Sequence, residues 1–107
     1  MTTLSIKNGV YSADHVEPLS TPGVARQLTA GSSSTNTALT ATITRISMRA
    51  VGADIRFSIG TGTQTATATS HFIANGERLD FAVPLEGNIA VLRNATTSGT
   101  LEVTELR

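Results

Sequence analysis

Two histidines, a handful of carboxylates, one Gly-Thr-Gly tripeptide and a set of arginines are the side chains through which this chain might do chemistry. His15 and His71 are separated by most of the sequence, and neither lies three or four residues from a second candidate ligand, so the spacing of a metal site is missing. Structural or surface roles are expected for both, with no metal and no cofactor. Asp54, Asp80, Glu86, Glu102 and Glu105 fall at turns or at strand positions read as outward, where they serve solubility and protect sheet edges. A pair of carboxylates working on a sugar would sit in a cleft rich in Trp and Tyr, and the chain has no Trp and a single Tyr. Gly60-Thr61-Gly62 is followed by neither Lys-Ser nor Lys-Thr and opens no helical pattern, so it reads as a turn and not as a phosphate cradle. No nucleophile with its base is visible, and the chain is not expected to be an enzyme.

The arginines have more to say. Arg45, Arg49 and Arg56 take the outward positions of two successive alternating runs, which as a hairpin would carry one basic stripe. Arg is enriched in protein interfaces because its planar fork binds carboxylates while its stem packs on apolar surface; the alternative is a solvated face. Nucleic acid is not the expected partner, since no aromatic stacking residues accompany the stripe and the formal net charge is zero.

The elements that must position these groups are strands. Thr is the commonest residue, charged residues make up 15% and aromatics 4% of 107 residues, a length that suits one domain. Residues 45–50 alternate, with Ile46, Met48 and Ala50 on one side, and residues 55–59 alternate with Ile55, Phe57 and Ile59 on one side. With residues 51–54 as a turn, these predict a hairpin. Residues 63–70 are small on both faces and read as an edge strand or an extended loop. His71-Phe72-Ile73 returns to the core, Asn75-Gly76 turns the chain, and Leu79, Phe81 and Val83 alternate up to Pro84. The three phenylalanines are expected to be buried. Residues 86–88 turn again, 89–93 read as a strand covered on both faces, and 100–106 as a last strand that buries Leu101 and Val103.

The first half is less regular. Short strands are predicted at residues 4–7, 24–29 and 38–44, with a linker-like cluster at Gly31-Ser32-Ser33-Ser34. Residues 8–23 show no period, and a structureless loop of about 15 residues is unusual inside a compact domain unless it is functional. There is no cysteine to form a disulfide, no apolar run near the length of a membrane span, and no basic region leading into an apolar one after Met1, so a soluble protein without a secretion signal is expected. The fold class expected is all-β: an antiparallel β-sandwich, jelly-roll or immunoglobulin-like, or a small barrel. Residues 1–23 form an extended N-terminal arm and residues 24–107 the sandwich domain.

Ile43-Thr44-Arg45-Ile46-Ser47, Ala53-Asp54-Ile55-Arg56-Phe57-Ser58-Ile59-Gly60, Ile73-Ala74-Asn75-Gly76-Glu77 and Gly99-Thr100-Leu101-Glu102-Val103 together resemble small β-sandwich proteins of tailed bacteriophage virions. The resemblance spans about two-thirds of the chain and rests on strand and turn signals. It implies a structural virion component assembled in the host cytoplasm: a capsid decoration or cement protein, or else a head-tail connector or tail-associated piece. The partners implied are the major capsid protein or other virion proteins and further copies of the chain, with no membrane. The residues expected at the protein interface are Tyr11, His15 and Pro18 in the arm and Arg45, Arg49 and Arg56 on the sandwich. A carbohydrate- or receptor-binding module is the expectation from a different class, since sandwiches are common scaffolds for such sites.

Overall fold

The computed structural model describes residues 20–107. Within them eight strands form two four-stranded antiparallel sheets: β1 (Pro22–Ala30), β2 (Thr35–Ala38), β3 (Arg45–Val51), β4 (Ile55–Thr61), β5 (His71–Ile73), β6 (Arg78–Ala82), β7 (Gly87–Arg93) and β8 (Gly99–Leu106). The strand orders are β1-β8-β3-β6 and β2-β7-β4-β5. β1 pairs with β8, β2 with β7, β3 with β6 and β4 with β5. That is one long hairpin of four strand pairs rolled up so that alternate pairs fall in opposite sheets, and the β3–β8 and β4–β7 ladders close the roll. Among the sandwich topologies admitted by the sequence, the strand order is that of the jelly roll.

The roll overturns the predicted hairpin at residues 45–59. β3 and β4 belong to different sheets, and residues 51–54 cross from one to the other, with Gly52 at φ 93°. A turn between two alternating runs carries the same residue signals whether the chain folds back beside itself or arches across a sandwich. The inward residues are correct either way: Ile46, Met48 and Ala50 from β3 and Ile55 and Phe57 from β4 are buried. With Leu28, Ile73, Ile89, Val91, Leu101 and Val103 they make one core between the sheets.

The predicted strand at residues 38–44 is also displaced. The strand is Thr35–Ala38, and beyond it the chain turns, the Ile43 amide donating to the Thr40 carbonyl at 3.3 Å and tucking both Leu39 and Ile43 into the core. A step of four residues also keeps Leu39 and Ile43 on one face of a strand, so their spacing does not separate the turn from the strand predicted there. The predicted strand at residues 4–7 lies outside the described residues.

Residues 62–70 form an extended loop, one of the two forms expected. It lies across the outer face of the second sheet: Ser58 Oγ donates to Gln64 Oε1 (2.8 Å), the Gln64 amide to Asn36 Oδ1 (2.9 Å) and the Ala66 amide to Ser34 Oγ (2.8 Å). Ala66 of the loop and Ala90 of β7 are both buried, which explains why Ile89-Ala90-Val91 is apolar without alternation. Gly60 leaves the space that the Gln64 side chain occupies, since a Cβ there would lie 2.7 Å from Gln64 Nε2.

Candidate interaction site

The register of the first sheet sorts its side chains into two faces. Outward are Ala25, Gln27 and Thr29 of β1, Thr100, Glu102 and Thr104 of β8, Arg45, Ser47 and Arg49 of β3, and Arg78 and Asp80 of β6. Arg45 and Arg49 are exposed on this face, each two residues from buried Ser47, and around them stand Ala, Ser and Thr side chains together with Gln27, Glu102 and Asp80. Among the described residues no carboxylate lies within ion-pair distance of either. Arg78 is tied down by a bond from its Nη1 to Ser47 Oγ at 2.8 Å.

Arg56 does not join them. It stands on the outer face of the second sheet, so the expected stripe of three divides between opposite sides of the sandwich. Its guanidinium is also occupied: Nε donates to Asn94 Oδ1 at 2.9 Å, Nη1 to the Ser70 carbonyl at 3.1 Å, and the group lies over the Phe72 ring at 4.8 Å. Arg56 thus pins the end of the 62–70 loop and a following turn to β4. Tyr11, His15 and Pro18 lie outside the described residues.

Two further expectations are corrected. Phe57 is buried, but Phe72 and Phe81 are 42% and 40% exposed: Phe72 lies opposite Arg56 on the outer face of the second sheet, and Phe81 faces inward from β6, an edge strand with no neighbour on its far side among the described residues. Glu105, expected at an outward position, is 0% exposed and faces inward with Leu101 and Val103. Its Oε2 accepts from Arg26 Nε at 2.9 Å and from the Thr40 amide at 3.0 Å, while Oε1 is buried without a hydrogen-bond partner. Burial raises the Glu105 pKa, but the Thr40 side chain and amide and the Arg26 guanidinium outweigh it and hold the carboxyl below its ordinary value. This pair joins β1, β8 and the 39–44 turn at one end of the sandwich, where Glu105 lines a cavity of about 400 Å³ with Val24, Thr42 and Arg107. The signal was present in the sequence: Glu105 is in phase with Leu101 and Val103, as Arg26 is with Leu28 and Ala30.

The two sheets end together on one side in short edge strands, β5 and β6, and the seam between them is open. Phe57, Ile59, His71, Phe81, Ala82 and Pro84 line a groove of about 200 Å³ there, with the Phe57 ring 5.7 Å from Phe81 and 5.5 Å from His71. Leu85, just beyond, is 60% exposed. Among the described residues no three His, Cys, Asp or Glu side chains come together as a metal cluster. In comparisons with protein-family models, curated proteins and solved structures, the chain matches none of them.

Proposed function

We propose that this protein is a structural component of a tailed-phage virion, a decoration or cement protein that docks on a lattice of capsid subunits and bridges them. The observation that carries the reading is the outer face of the first sheet, on which Arg45 and Arg49 stand exposed. Two guanidiniums with no ion-pair partner among the described residues offer bidentate bonds to carboxylates on a partner surface. The sequence resemblance to small virion sandwich proteins supports the same reading, as does the recurrence of eight-stranded jelly rolls in viral capsid domains, which is an analogy of fold. The residues that precede β1 reach a neighbouring subunit in this account. Because many copies sit on one lattice, modest contacts per copy add up to a shell that resists internal pressure.

Particle binding tests it. The Arg45→Glu/Arg49→Glu double variant, mixed with particles that lack the protein, is expected to lose attachment while melting at the temperature of the unaltered chain. Undiminished attachment of the folded variant would remove this face from the account.

A further inference from the structure

The β6 edge carries an inference independent of the virion reading. Among the described residues β6 is bonded on one side only, to β3. The Val83 amide donates to the Thr44 carbonyl at 2.8 Å and the Ala50 amide to the Glu77 carbonyl at 3.2 Å, so the odd-numbered residues 77–83 turn their backbone groups toward β3. The N–H and C=O groups of Arg78, Asp80 and Ala82 therefore point away from the sheet. Beside this row of unpaired groups lies the apolar groove with Phe81 at its rim. Natural edges are blunted by charge, proline or bulges, and here the protection consists of Arg78 and Asp80 on one face, with Pro84 just past the strand.

That protection has a gap of one register. We propose that β6 pairs antiparallel with β6 of a second copy about a two-fold axis through Leu79, joining the two β1-β8-β3-β6 sheets into one. In this register Arg78 of each copy lies directly opposite Asp80 of the other, giving two attractive cross-strand pairs and about four backbone hydrogen bonds. The neighbouring registers are disfavoured. An axis through Asp80 sets two carboxylates against each other, and an axis through Phe81 sets the backbone of Arg78 against Pro84, which has no N–H to give. Leu79 meets its own copy on the inner face, and the flank of Phe81 is shielded from water. The zero net charge of the chain leaves no general repulsion between copies.

Sedimentation of the full purified chain over a micromolar-to-millimolar series, without any particle present, tests this separately from virion attachment. A monomer–dimer equilibrium is expected. D80R, which places two like charges opposite one another twice, weakens it at least about tenfold, and the charge swap R78D/D80R restores it. D80P removes only the edge-facing N–H of residue 80, not a bond to β3, and is also expected to dissociate the dimer. A chain that stays monomeric throughout, or a dimer that D80R and D80P leave unchanged, overturns the proposal; so does failure of the charge swap to restore association when its thermal melting matches that of the unaltered chain.

Discussion

Glu105 shows how much one side chain holds at the end of this sandwich. Its Oε2 accepts two bonds from different elements, Arg26 on β1 and the Thr40 amide in the 39–44 turn, while the carboxylate is excluded from water. Charge-assisted bonds of this kind contribute about 1.5–3 kcal/mol each when their partners are not strongly solvated, and Arg26 is partly exposed, which lowers the figure. Glu105→Gln is therefore expected to lower stability by roughly 1–3 kcal/mol in denaturant titration. Because folding lowers the Glu105 pKa, its contribution is fully present above the carboxyl's unfolded pKa and is lost as pH falls through the folded one. Acid titration of Glu105→Gln should show a flatter loss of stability across that window than the unaltered chain; identical slopes would mean that the pair does not titrate with folding. Gly87 is a second residue under strict constraint, since a Cβ there would sit 2.8 Å from the Pro84 carbonyl oxygen. Backbone on both sides cannot give way cheaply, so Gly87→Ala should cost about 1–3 kcal/mol, read as a drop in melting temperature.

At the scale of elements, the 62–70 loop is the least regular and the most informative. Its Thr and Ala residues bury little area, and the loop is held by polar bonds from Gln64 to Ser58 and Asn36 and from Ala66 to Ser34. Gln64→Ala removes the side-chain bond and opens a space over Gly60. Hydrogen exchange at the Ala66 amide should then accelerate while the β4–β7 ladder keeps its protection; equal acceleration in both would mean that the loop and the sheet open as one unit. Much of this architecture was legible from the residues. Alternation gave the inward sets of β3, β4 and β8, and the unbroken apolar run gave a central β7. What alternation does not carry is which sheet a strand joins, because an arch and a hairpin share Gly-rich turn residues and the same inward phase. That one ambiguity misplaced Arg56 beside Arg45 and Arg49. Edge position is equally silent in sequence, which is why the exposure of Phe81 was missed, whereas Phe72 is out of phase with buried Ile73 and stands on the outer face. Glu105 is different: its phase announced an inward carboxylate, and chemical type overrode the pattern.

For the whole molecule, the jelly roll divides its surface into chemically different regions. The outer face of the first sheet offers Arg45 and Arg49; the outer face of the second is covered by its own loop; and the β5–β6 side leaves an apolar seam and an unpaired edge. Docking on a lattice by the first region and pairing of copies through the last are compatible, since they use different surfaces. Removing residues 2–19 leaves every described strand in place, because β1 begins at Pro22. The shortened chain is expected to fold with an unchanged core and to attach to particles more weakly, as measured by co-sedimentation.

The central claim, that this chain is a structural part of a virion, is tested most directly by quantitative mass spectrometry of purified particles made by the genome that encodes it. The protein is expected at hundreds of copies per particle, in fixed ratio to the major capsid protein. A ring-sized count of six or twelve would move it to a portal or tail, and its absence from particles would contradict the account.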